Sequence, residues 1–449
     1  MPDKTHVSSG MISRYRFDEQ NNVTDFVYLD RYGRKIDLES PGKHYSIRRE
    51  SIVAPKDASQ YDNWNKRFQE FFRENLEQIS FSDFRWLLHD LVEDNLTNDT
   101  FWEKLDILTW LRNYLRTLNP GDKALSSLVD ITQYYINHLL DRVTEIKLSE
   151  FTHVDQNEVN EFQQEPEDNQ ALIIDASTFL PEGIDHEISL TAFLAHSYTL
   201  GWRRYILYRV SGQRLISPSV MGNGNTDDVV MDVYGSAGEY FGAFMQGGTL
   251  RLHGSAQNFC AMCMHHGEIY VHGNAGKVCG YASKGGKVFI MGDIVDRGWT
   301  NSVNDSRCQN LEISILGSAT KYLGESLMGG NFFFGGLHFD NTGALRFNER
   351  PYLGTKMLGG ASRGMFVFFD PDNRLIEAQY THGIIREFTA EEWDYFHQKI
   401  LETFALSNVQ VHQNGSHKFI IVEDTEYKIT PDNFKLIVPR GGLKGYESH

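Results

Sequence analysis

The chain has 449 residues, 41% of them apolar and 23% charged, enough for two or three domains and with no apolar run long enough to span a membrane. A net charge of −17 argues against nucleic acid or an anionic membrane as the main partner. Four cysteines do not make a disulfide framework, and MPDKTHVSSGM lacks the apolar stretch of a secretion signal, so a reducing cytoplasm is the expected location.

Residues 12–52 read as short strands and turns, with FVYLDRYGRKIDL alternating around Tyr32 and Gly33. From about 61 to 148 the period changes. Trp64, Phe68, Phe71, Phe72, Leu76 and Ile79 take the three- and four-residue spacing of one helix face. Phe84, Leu87, Leu88, Leu91 and Val92 make a second stripe. Trp102, Leu105, Leu108, Leu111, Leu115 and Leu118 make a third, stopped at Asn119-Pro120-Gly121. A fourth runs from Leu125 to Val143. Four amphipathic helices with short connections predict a helical bundle. Residues 151–170 hold six acids and no lysine or arginine, which reads as a solvated linker. A strand at 172–174, a helix at about 187–200 and a strand at 205–210 follow.

A repeat then begins. Gly235, Gly254, Gly273 and Gly292 are 19 residues apart. Four residues before each stand Met231, Leu250, Ile269 and Val288, and two before stand Val233, Leu252, Val271 and Ile290. This alternation puts one apolar column on one face of a strand. Gly248, Gly267 and Gly286 form a second glycine column. After a six-residue insertion the register resumes at Gly317, with Gly336 19 residues on. A fixed period near 20 residues with strand and turn signals predicts a right-handed parallel β-helix, a solenoid with about 19 residues per coil. Glycine recurs where φ is positive or a neighbouring backbone lies close.

The string Cys260-x-x-Cys263-x-His265-His266 falls inside this repeat. Six residues after each glycine stand Phe241, Cys260, Cys279 and, past the insertion, Leu323, a column that reads as interior, with cysteine packing as a small hydrophobe. The alternative is a metal site of Cys260, Cys263, Cys279 and His265, which requires four converging ligands. His253 and His272 stack one residue before their glycines and read as a surface or half-buried ladder.

The run IYVHGNAGKVCGYASKGGKVFIMGDIVDRG, followed by LGSATKYLGESLMGG, resembles the Gly-X-Gly-X-Gly β-helix of the C-terminal part of the glutamate synthase large subunit. The same module forms one of the subunits of formylmethanofuran dehydrogenase and several small glutamate synthase-like proteins. The resemblance covers roughly 171–370. Lys284-Gly285-Gly286, Arg297, Tyr322-Leu323-Gly324-Glu325 and Met328-Gly329-Gly330 sit where that pattern expects them. GWTNSVND at 298–305 departs from the Gly-x-His-Met-Lys usual there. The resemblance implies a scaffold between catalytic parts. The chain has no cysteine before 260, unlike the glutamine-hydrolysing domains, whose catalytic cysteine is N-terminal. It also lacks the synthase's closely spaced cysteine triplet and any flavin-barrel pattern.

After the repeat, Thr389 and Glu392 predict a capping box, with Phe388 stapled to Trp393 and Trp393, Phe396, Ile400 and Phe404 on a buried face. A hairpin around Asn414-Gly415 and a strand FKLIVP end the chain. The expected class is multi-domain α+β. Its parts are strands and turns over 1–55, a four-helix domain over 56–150, an acidic linker over 151–170, the β-helix over 171–370 and a helix-plus-hairpin cap over 371–449.

The expected function is a non-catalytic β-helix subunit of a glutamate synthase-like amidotransferase or oxidoreductase complex. No cofactor is expected in this chain; partner subunits would carry flavin, iron–sulfur or molybdenum/tungsten. A formylmethanofuran dehydrogenase-like scaffold and a homo-oligomer are alternatives. So is a free-standing enzyme or interaction module using the solenoid face, with His265, His266, Cys263, Lys284 and Arg297 as candidate groups.

Overall fold

The computed structural model describes residues 4–8, 11–17, 23–27, 61–93, 96–155, 157–167, 169–181, 189–221 and 226–441. The turn expected at Tyr32-Gly33 lies outside them. The chain divides into two compact units, Met1–Ser149 with Phe339–Ala344, and Glu150–His338 with Leu345–His449.

In the first unit, β1 (Lys4–Ser8), β2 (Met11–Phe17) and β3 (Val23–Val27) form an antiparallel sheet. Four helices occupy the stretch of apolar stripes: α1 (Tyr61–Asn75), α2 (Phe81–Glu93), α3 (Asn98–Tyr114) and α4 (Leu125–Ile146). Thr97 caps α3 by accepting from the Thr100 amide, and the Thr100 hydroxyl accepts from the Thr97 amide. α4 stops at Lys147, whose φ of 55° is left-handed. Phe68, Phe72, Phe84, Leu88, Leu108, Leu111, Leu139 and Leu140 are buried, and the Phe72 ring meets Phe84 edge-on at 5.8 Å. Each such side chain contributes about 1.5–3 kcal/mol when withdrawn from water. Glu103 on α3 is buried among them with neither carboxyl oxygen hydrogen-bonded. Burial, with Asp106 and Asp99 nearby, pushes its pKa up to about 7.

The second unit is a mixed α/β fold on one large, mostly parallel sheet. It opens with β4 (Phe151–Val154), β5 (Ala171–Asp175), α5 (Leu190–Thr199) and β6 (Arg204–Ser211). The repeat supplies β7 (Val230–Ser236), β8 (Gln246–His253), β9 (His266–Val271), β10 (Gly286–Ile290), β11 (Leu311–Ile315) and β12 (Met328–Phe334). A hairpin, β13 (Leu337–Phe339) and β14 (Leu345–Phe347), interrupts the series before β15 (Arg363–Phe369). Then come β16 (Gly383–Arg386), α6 (Ala390–Leu406), a small sheet of β17 (His412–Asn414), β18 (His417–Val422) and β19 (Thr425–Lys428), and β20 (Phe434–Pro439). The large sheet is open, in the order β16-β20-β15-β12-β11-β10-β9-β8-β7-β6-β5-β4. From β4 to β15 every neighbouring pair is parallel; β20 runs antiparallel to β15 and to β16.

Register explains the apolar columns. Leu172, Tyr205, Met231, Leu250, Ile269, Val288, Ile313, Phe332 and Phe366 are successive partners across the sheet. So are Ile174, Leu207, Val233, Leu252, Val271, Ile290, Ile315, Phe334 and Phe368. Both columns lie in one continuous core. A second line of parallel bridges joins Ala237, Ala256, Ala275, Ile294, Ala319 and Tyr352, so each repeat meets the next twice.

The glycine columns answer to two different constraints. A Cβ at Gly254, Gly273, Gly292 or Gly317 would meet the backbone of the preceding repeat. Gly248, Gly267 and Gly286 instead have φ of 86°, 95° and 101°, a region unfavourable to side chains.

Residues 151–170 are not the linker expected from their charge. Phe151–Val154 forms the edge strand of the large sheet, Phe151, Val154, Val159 and Phe162 are buried, and the Trp202 indole donates to the Gln164 carbonyl at 2.9 Å. Glu158, Glu161, Glu165 and Glu167 are exposed around these anchors, so the acidic composition conceals the buried positions.

The helix α6 lies against the outward face of the sheet. Its start carries the capping box of Thr389 and Glu392 and the Phe388–Trp393 contact, at 5.4 Å. Phe396, Ile400 and Phe404 are buried, and Phe404 meets Phe333 edge-on. Lys399 is buried beside Glu312 at 3.8 Å, and burial lowers its pKa to about 8. On the same face, Tyr234, His253 and His272 stack ring on ring at 4.5 and 5.6 Å. Both histidines are buried rather than at the surface, and His253 Nε2 lies 3.4 Å from the Asp232 carboxylate. Among the described residues no helix is long and apolar enough to cross a membrane.

Candidate functional site

The sequence candidates fall along the edge of the sheet where the chain enters β9, β10, β11, β12 and β15. Backbone bonds define it. Lys284 N donates to Met264 O at 2.8 Å, Val303 N to Ser283 O at 2.9 Å, Met328 N to Ser302 O at 2.8 Å and Ser362 N to Leu327 O at 2.8 Å. Entering β10 the repeat is 19 residues long, Glu268 pairing with Lys287; entering β11 it is 25, Gly286 pairing with Leu311. The six extra residues therefore stand out from this edge, between Val303 and Leu311. They are tied back on the preceding repeats. Asp305 N donates to Lys284 O at 3.0 Å, Gln309 N to His266 Nδ1 at 3.3 Å and Gly267 N to Gln309 Oε1 at 2.9 Å.

This strap makes Lys284 the centre of a cluster. Its ammonium acts on Cys263, His265, Asp305 and Cys308. Burial pushes the Cys263 thiol up, and Lys284 draws it partly back. Burial lowers His265, helped by Lys284 and His266, so the imidazole is neutral at neutral pH. The Arg307 guanidinium grips Asp305 at 3.0 and 2.7 Å and holds its carboxyl well below the usual range. Cys308 is raised by burial and by Asp305. Chemically the cluster offers a neutral imidazole as proton acceptor beside a fixed positive charge. Neither thiol is an activated nucleophile, because both stay protonated.

The other candidates lie apart from it. Arg297 is exposed, paired with Glu325 at 3.1 Å and lying 4.8 Å over the Tyr322 ring. Cys260 and Cys279 are buried in the core, and Cys279 is pushed up by its hydrogen bond with Cys260 and by burial. The residues of the alternative metal set are thus divided between the interior and the edge. Among the described residues no group of three or more His, Cys, Asp or Glu side chains is placed to hold a metal ion.

Further along the same edge is a cleft of about 630 Å³. Its polar lining includes Asn304, Asn331, Ser362, Arg363, Arg386 and Glu392. Arg386 and Glu392 form a two-pronged ion pair at 2.8 and 2.6 Å. Hydrogen bonding to Arg386 lowers the Glu392 carboxyl. The sequence reading named none of these residues for function. The only trace it held was the insertion and the Gly329-Gly330 pair, which mark a register shift between β12 and β15.

No curated protein and no solved structure matches the chain. Residues 202–307, which carry four repeats of the glycine column and, of the cluster, Cys263, His265, Lys284 and Asp305, match the family described as GXGXG motif.

Proposed function

We propose that this chain is the β-helix scaffold of a glutamate synthase-like amidotransferase or oxidoreductase complex, and that its repeats wind as a right-handed parallel solenoid of about 19 residues per coil. One observation carries the reading: the buried side chains of every repeat, from Met231 to Phe366 and from Val233 to Phe368, fill a single apolar core. A rod packed solid in this way offers its chemistry and its contacts on the outside. The match of residues 202–307 to the GXGXG motif supports the glutamate synthase-like context. Partner subunits would supply glutamine hydrolysis or carry flavin and iron–sulfur groups. A cytoplasmic setting fits the four free thiols.

Purification of the full chain from its native cells tests this. An amidotransferase or a flavin- or iron–sulfur-bearing chain is expected to co-elute in fixed stoichiometry. Molybdenum or tungsten in that fraction would favour the formylmethanofuran dehydrogenase-like version. A lone chain at every concentration would overturn both. The Lys284 cluster favours a second reading, in which the solenoid edge itself is catalytic; loss of activity of the lone chain on Lys284→Gln would support it.

A further inference from the structure

We propose that the cleft beside β12 and β15 binds a small organic anion, with the Arg363 guanidinium as its charge-recognising group. The cleft has the volume of a metabolite-sized site, about 630 Å³. Its charged lining groups are Arg363, Arg386 and Glu392. Two of them are mutually satisfied: Arg386 donates twice to Glu392, and Glu392 also accepts from the Thr389 amide that it caps, at 3.0 Å. Arg363 differs. Its amide is held by Leu327 O, while among the described residues its side chain forms no ion pair and no hydrogen bond. An exposed, uncommitted guanidinium on a chain of net charge −17 gives the cleft a local positive sign.

The rest of the lining sets the ligand's character. Asn331, Ser362 and Asn304 supply neutral donors and acceptors, and Met365, Val438 and Met328 supply an apolar wall. Gly329, Gly330 and Gly364 have φ of 143°, 110° and 125°, so the floor between these side chains is bare backbone. An anion with a short aliphatic body and further hydrogen-bonding groups fits this pattern. A carboxylate and a phosphate ester both present the two oxygens that a guanidinium grips. The inference is independent of the scaffold reading.

Calorimetric titration of the full chain at low salt, with succinate as the carboxylate probe and glycerol 3-phosphate as the phosphate probe, tests it. At least one is expected to bind with a Kd of about 1 mM or tighter, and Arg363→Gln is expected to weaken that binding about tenfold or more. Asn331→Asp, of unchanged size, places like charge in the cleft and weakens it as well. Arg214→Gln, whose side chain pairs with Glu239, serves as the control and leaves it unchanged. If neither probe binds tighter than about 10 mM, or if folded Arg363→Gln binds within about twofold of the parent chain, the assignment is overturned.

Discussion

Gly254 faces the carbonyl oxygen of Gly235 in the preceding repeat so closely that a Cβ at 254 would overlap it. The repeat can stack only if that position is bare. Gly254→Ala is therefore expected to cost several kcal/mol, about 3 or more, because the obstacle is backbone and cannot rotate away. Gly280→Ala is costly for a different reason: at a φ of 68° its Cβ would meet the indole of Trp299, a side chain held in the buried core. Gly415→Ala is the control: its φ of 59° is also positive, but nothing lies within 4 Å, so only the conformational cost of about 1 kcal/mol remains. Equal losses for Gly254→Ala and Gly415→Ala in denaturant melts would refute the stacking argument.

The four thiols should divide two and two. Cys260 and Cys279 are buried in the core, whereas Cys263 and Cys308 are half-exposed on the edge. Titration with a thiol reagent on the native chain is expected to modify two groups and to reach four only after unfolding. A zinc ion released during the native phase would contradict the division and reinstate the ligand set of Cys260, Cys263, Cys279 and His265.

The sheet was legible because a period of 19 repeats each constraint in register, so a residue such as Val288 is identified by Ile269 before it as well as by its own strand. Helices announced themselves by their stripes, and α6 by Thr389 and Glu392. The segment at 151–170 reads as a linker because six acids outweigh four apolar anchors spaced too irregularly for either period. The site was harder. His265 and Lys284 stand 19 apart and could be paired from the sequence. Asp305, Arg307 and Cys308 sit in the insertion, where the period fails, and what brings them in is the bond from Asp305 N to Lys284 O together with those that tie Gln309 to His266 and Gly267. The cleft gathers Arg363 of β15 and Arg386 of β16 into one lining because β20 pairs antiparallel with both strands, an arrangement that no local pattern records.

Lys284→Gln isolates the electrostatics of the cluster. The ammonium helps to hold His265 below its ordinary range, so its removal should raise the His265 midpoint in an NMR titration. It also draws the Cys263 thiol downward, so alkylation of Cys263 at mildly alkaline pH should slow in the variant. A lowered histidine pKa means that His265 favours the folded state at high pH and that this contribution is lost as pH falls through its folded midpoint. The variant should accordingly be less acid-sensitive. An unmoved His265 resonance would show that Lys284 does not face the imidazole.

Glu103 gives the clearest pH signature in the helical unit. Its pKa is about 7 in the fold against 4.5 as the ordinary value, because the buried carboxyl has no hydrogen bond to stabilise its charge. The folded state thus holds a proton that the unfolded state has released, and stability associated with this group is complete below the unfolded value and lost as pH rises through the folded one. Glu103→Gln removes the ionisation and keeps the shape. Its stabilising effect relative to the parent should be small at pH 5 and grow by about 2 kcal/mol by pH 8, since each tenfold difference in proton affinity between the two states corresponds to about 1.4 kcal/mol. Helical circular dichroism during urea unfolding reads the difference at both pH values. A constant difference would mean that the carboxylate reaches water in the folded chain, and that burial in α3 is not what governs its proton.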